Sequence, residues 1–241
     1  MFGAITPAMN KISLKKSDLA VLTVVAGIIV WVACQSHPIE TFKLYTKEHG
    51  YILSFFKFVI LATFGECVAL RIVDGRYWRP GFGLIAKAVM WGFIGLFLKA
   101  SFTVFAVGSP AVLTSLGLNI SAEDGFFARL LIAFTTSVML NTVFAPVLMI
   151  LHKIYDDHIQ VHQGKIRSLI IPVDVAERFS GIDWNNMWGF VLKKTVPIFW
   201  IPAHTFTFML PPDARIIFAA LLGGVLGVIL AFASLKSRTA Y

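Results

Sequence analysis

Three ionisable side chains, Glu66, Lys87 and Lys193, stand inside stretches that are otherwise apolar enough to lie in lipid. A charge at membrane depth costs about 3 kcal/mol, so such a residue lines a wet path, binds a partner, or does both. Around Glu66 the sequence reads LATFGECVALRI, and its helical neighbours Ala62, Thr63 and Ala69 are small enough to admit a second helix. Counted from the expected helix ends, Glu66 and Lys193 lie six residues and Lys87 five residues inside one boundary. At about 1.5 Å per residue all three share a depth of roughly 8 to 9 Å. Glu66 is therefore expected to pair with Lys87 or with Lys193, and spacing alone leaves both open.

A second layer lies toward the opposite boundary, where Lys57, Lys99, Arg129 and His204 stand within about two turns of the helix ends. The helices carry no acid at that level, although Glu123 and Asp124 precede Arg129 and are placed to fold over it. A cationic vestibule of this kind attracts anions. The plainer reading of each residue alone is a long side chain snorkelling to the headgroups.

Helix-breaking residues accompany these charges. Ser137 and Asn141 lie four apart on one face, and Pro146 supplies no N–H to the Thr142 carbonyl. The segment MWGFVLKKTVPIFWIPAHTFTFML holds Lys193, Lys194, Pro197, Pro202 and His204, so a straight helix is not expected there. Breaks of this type suit a solute pathway, and packing through Ser, Thr and Asn hydrogen bonds is the structural alternative. His204 is expected to bond a nearby group rather than to relay protons. Asp157, His158 and His162 have a spacing that could hold a metal, but nothing completes the set, and a solvated connector is the expected reading. HExxH, GxSxG and P-loop patterns do not occur, so no catalytic activity, cofactor or metal is expected.

The elements that must position these residues follow from composition. Of the 241 residues, 57% are hydrophobic and 14% charged, a balance that points to a polytopic membrane protein. Six segments qualify as membrane helices, at about 18–35, 51–72, 82–107, 126–151, 187–209 and 216–235. They predict an all-α transmembrane bundle forming a single membrane domain over 1–241, with a polar connector at 152–186. Twelve lysines and arginines fall on one side of this layout, namely Lys11, Lys15, Lys16, Arg71, Arg76, Arg79, Lys153, Lys165, Arg167, Arg178, Lys236 and Arg238. Only Lys43, Lys47 and Arg215 fall on the other, which places both termini in the cytoplasm. The net charge of +8 is thus a topology signal and not a nucleic-acid surface.

Lys15 and Lys16 before LAVLTVVAGIIVWVAC have the form of a signal peptide, but Trp31 suits a processing site poorly, and a retained helix is expected. The two cysteines, Cys34 and Cys67, both lie in apolar segments and predict no disulfide framework. In the last segment Ala219, Gly223, Gly227 and Ala231 recur every four residues, a stripe that allows close packing within the chain, with a second copy, or with another membrane protein.

Several motifs carry a resemblance. Gly65-Glu66 before a basic connector, Trp91-Gly92-Phe93 in the next helix, and Asn141 with Pro146 five residues on occur in order. They are followed by Trp200-Ile201-Pro202, Phe206 to Phe208, Leu210-Pro211 and Arg215. In this order they resemble the peroxisomal and mitochondrial inner-membrane family of the Mpv type, which includes the twenty-two-kilodalton peroxisomal membrane protein. The chain resembles a divergent bacterial member, with Glu66 in place of the family's Asp, Leu140 in place of its Asp before Gln, and His204 in place of its Gln. The family core corresponds to about 52–235, and the helix at 18–35 is an addition to its four membrane segments. The resemblance implies channel-like passage of small solutes, in a bacterial inner membrane or alternatively a mitochondrial inner or peroxisomal one.

Together these observations predict a channel or carrier for small anionic solutes lined by Glu66, Lys87, Lys193, Asn141 and His204. The alternative is a structural or assembly protein that docks a partner through its glycine-striped last helix.

Overall fold

The computed structural model describes residues 14–238, with side chains to 235. Lys11 and the side chains of Lys236 and Arg238, which entered the charge count, lie outside the described residues. Every regular element among the described residues is helical. In chain order they begin with α1 (Lys16–Ala33), α2 (Pro38–Glu48), α3 (Gly50–Asp74), α4 (Leu84–Ser115) and α5 (Phe126–Met139). A π turn (Leu140–Phe144) leads into α6 (Ala145–Val161), and the connector holds the short α7 (Val175–Ser180) and α8 (Trp184–Asn186). A π-helical stretch (Met187–Trp200) then runs into α9 (Ile201–Met209), and α10 (Pro212–Arg238) follows.

Five helices are long and apolar enough to cross a membrane: α1, α3, α4, the α5–α6 rod over Phe126–Val161, and Pro212–Leu235. The chain is an integral membrane protein with an all-α bundle. The expected sixth span is a continuous helical rod, yet its two lysines, two prolines and His204 keep it out of that group. Helix α4 runs eight residues past its expected end, to Ser115. Helix α2 has no counterpart in the expected layout, because a short amphipathic helix leaves no long apolar run.

Two of the three prolines expected to break helices accompany π-helical geometry. Pro146 follows the π turn, where the Ala145 N–H reaches back to the Leu140 carbonyl. Pro197 sits within the π-helical stretch, and the Ile201 N–H reaches Val196. Pro202 instead occupies the first turn of α9, where its missing N–H is tolerated.

Helix α3 is packed between α4 and α10, and α5 lies against α9. The core includes Phe58, Met90, Ile94, Phe102, Leu140 and Phe208. Helices α3 and α10 touch through backbone, since a Cβ added at Gly65 would lie 2.4 Å from the Gly224 Cα. The expected stripe is therefore off by one position at its centre. Ala219 and Ala231 are buried and a Cβ added at Gly227 would lie 3.9 Å from the Ala69 Cβ, but one added at Gly223 would meet open space. Helices α3 and α4 are equally close, because a Cβ at Gly95 would lie 2.6 Å from the Ser54 carbonyl oxygen. Helix α1 buries no residue and is tied to the bundle by Asp18, which accepts from Arg71 Nε at 2.7 Å.

Candidate functional site

At one end of the bundle α3, α4 and α6 bring four ionisable groups together. Lys87 Nζ donates to Glu66 Oε2 at 2.7 Å and also to Asp156 Oδ1. Trp91 Nε1 donates to the other Glu66 oxygen at 2.7 Å, and Asp156 Oδ2 accepts from Gln160 at 2.6 Å. Lys87 is buried and lies 5.2 Å from the centre of the Phe82 ring. Its charge is tolerable there because two carboxylates compensate it and their own oxygens are bonded in turn. His152 completes the group, 3.9 Å from Glu66 and with its ring 4.6 Å from that of Trp91.

Of the two expected pairings, Glu66 makes the one with Lys87. Lys193 is exposed and takes no part. Equal depth did not decide the matter, since the π-helical register turns Thr195 and Val196 inward and leaves Lys193 and Lys194 outside. Asp156 falls in the range 152–186 assigned to the connector, but α6 continues to Val161 and carries it into the bundle. The continuing apolar spacing at Ile150, Ile154 and Ile159 is the signal that marks this extension. Asp157 and His158 are occupied separately, by Arg178 at 3.0 Å and the Ser168 carbonyl at 3.0 Å.

Mid-bundle, the π turn presents Asn141, and with Ser137 it is wholly buried. Ser137 donates to the Ile201 carbonyl at 2.7 Å, and Asn141 Nδ2 to the Ser137 carbonyl at 2.8 Å. The Asn141 amide also meets His204 Nδ1, at 3.0 Å through its nitrogen. His204 stacks on Trp200, with ring centres 5.1 Å apart, and meets Phe102 edge-on. His204 thus belongs to a buried polar knot locking α5 to α9, not to the outer layer where depth alone had placed it.

The end of the bundle opposite the ion cluster is cationic and concave. A crevice of about 450 Å³ between α4, α5, α9 and α10 is lined by Pro110, Arg129, Thr136, Phe208 and Arg215 among others. A second, of about 190 Å³, is lined by Lys99, Phe102 and Thr103 and shares Ala106 and Arg215 with the first. Pro110 supplies no N–H to the Ala106 carbonyl. Arg215, which the sequence layout left in a loop, donates to the Leu210 and Phe208 carbonyls at 3.0 Å each. Lys57 donates to Thr46 Oγ1 at 3.3 Å and lies 4.4 Å from the centre of the Phe42 ring, so α2 covers it. Arg129 is exposed, and among the described residues no ion pair joins it to Glu123 or Asp124. Asp124 instead accepts from the Ser121 N–H at 2.6 Å.

No family model, no curated protein and no solved structure matches this chain. Phe102 and Phe208 on the crevice walls pack into the same buried core as Ile94 and Leu140.

Proposed function

We propose that this membrane protein carries small anionic solutes, admitting them at the two crevices lined by Lys99, Arg129 and Arg215. The observation that carries this reading is the pair of joined concavities with three cations on their walls. Asp213 acts on both Lys57 and Arg215, and the lining residues Ser121 and Ala122 lead into Glu123 and Asp124 at the rim. An excess of fixed positive charge in a low-dielectric crevice concentrates anions. The packed core that the crevice walls join favours a carrier that opens alternately over a pore open throughout. The π-helical breaks near Pro146 and Pro197 supply places where α5–α6 and the α9 rod can bend.

The topology proposed with this function puts the Lys153 end and both termini in the cytoplasm of a bacterial inner membrane. Kinship with the peroxisomal and Mpv-type family remains part of the same proposal, as does a role without catalysis. The assembly alternative draws less support, because Ala219, Gly224 and Ala231 of the last helix are used inside the chain.

Reconstitution tests the reading directly. Liposomes holding the purified protein are expected to pass chloride, phosphate or succinate faster than empty liposomes and faster than they pass glycerol. The double variant Lys99→Gln, Arg129→Gln should slow the anions selectively. Equal anion flux in variant and wild type would remove the crevice from the pathway.

A further inference from the structure

We propose that His152, Glu66, Lys87 and Asp156 form a binding site for a single proton at the Lys153 end of the bundle. Such a site is independent of which solute crosses, and of whether any does. Charge supplies the first argument. With the imidazole neutral, the cluster holds two carboxylates against one ammonium, an uncompensated negative charge in a largely buried setting. One added proton equalises the count.

Geometry supplies the second argument. His152 Nε2 is shielded from solvent and makes no hydrogen bond, yet it lies 3.9 Å from Glu66 Oε1. A buried polar atom without a partner is destabilising. An Nε2–H brought about 1 Å closer would reach the carboxylate at ordinary hydrogen-bond length; the neutral ring offers it in one tautomer only, whereas the imidazolium always carries it and adds charge attraction to the bond. The charged groups acting on the ring are Glu66 from α3, Lys87 from α4, and Asp156 and Lys153 from α6. Burial of the ring opposes the proton first, Glu66 and Asp156 favour it, and Lys87 and Lys153 oppose it.

Access supplies the third. The His152 side chain keeps 31% of its surface exposed, and Gln160, exposed one turn beyond Asp156, bonds that carboxylate. A proton from water at this end adds to the lone pair of the ring nitrogen that carries no hydrogen. No other bond is broken, and Lys87 keeps its three hydrogens. Protonation draws Glu66 toward α6 and away from Lys87, so proton uptake is transmitted to the α3–α4–α6 contact.

Trp91 offers the readout, because its ring lies against His152 and an imidazolium quenches indole emission on contact. Tryptophan fluorescence of the full-length protein in detergent should fall on acidification in a single-proton transition. That transition should vanish in His152→Gln and in Trp91→Phe. In Glu66→Gln its midpoint should drop by about one pH unit, as loss of an adjacent negative charge requires. Histidine-selective NMR of the wild type reads the same proton should a variant fail to fold. A His152 that stays in one protonation state from pH 4 to 9, or a midpoint indifferent to Glu66→Gln, overturns the proposal.

Discussion

Lys87 on α4 is tied to Glu66 on α3 by a 2.7 Å hydrogen bond, with only 9% of the lysine side chain exposed. Lys87→Met leaves Glu66 and Asp156 as neighbouring carboxylates without their shared cation, which should cost about 3–5 kcal/mol. Adding Glu66→Gln and Asp156→Asn to the same chain should recover most of the loss. Lys193→Met, on the exposed surface of the π-helical stretch, should change stability by no more than about 0.5 kcal/mol. Denaturant unfolding in detergent compares the variants, and a Lys193→Met penalty as large as that of Lys87→Met would contradict the pairing.

The α3–α10 contact makes a second, sharper comparison between two glycines. Gly65→Ala forces a methyl onto the Gly224 backbone and should cost about 1–3 kcal/mol. Gly223→Ala, one residue from that contact, meets nothing within 4 Å and should be close to neutral. Thermal midpoints in one detergent would separate them, and equal shifts would show that α10 presents a different face to α3.

In the polar knot, Asn141→Leu keeps the volume approximately and removes the amide that meets His204 Nδ1. The orphaned imidazole nitrogen should cost about 1–3 kcal/mol, read as a lower unfolding midpoint. Replacing His204 by Leu in the same chain should return part of that loss, because neither partner is then stranded. No recovery would mean the two residues act independently.

Acid sensitivity outside the membrane helices is expected at His162, whose pKa is held below its ordinary 6.5 by burial first and then by His158, Arg167 and Arg178. The unfolded chain takes up a proton near 6.5 while the native chain resists it. The contribution to stability is therefore constant above that pH and is lost as pH falls below it, until the native group also titrates. His162→Gln should narrow the difference in thermal midpoint between pH 8 and pH 5.5. An unchanged difference would place the acid sensitivity elsewhere.

Much of the molecule is legible in the sequence because lipid imposes a one-dimensional rule. Backbone polar groups must be satisfied within a helix there, so long apolar runs declare α1, α3, α4, α5–α6 and α10 without knowledge of packing. The same rule singled out Glu66 and Lys87 as residues in need of partners. Helix α2 escaped it, being short and amphipathic, and so did the inward half of α6, where Asp156 and His152 lie among charged neighbours that read as a connector.

The sequence by itself determined how far along its helix each residue stands, since each helical residue advances the chain by about 1.5 Å. Depth is only one coordinate of a contact. Which face each residue presents was settled by the tertiary structure, through the π-helical register that turns Lys193 outward and the crossing that selects Gly224 over Gly223. The same packing drew His204 inward to Asn141 and Arg215 onto the wall of the crevices. Rotation about a helix axis is decided by what packs against it, and no single segment carries that information.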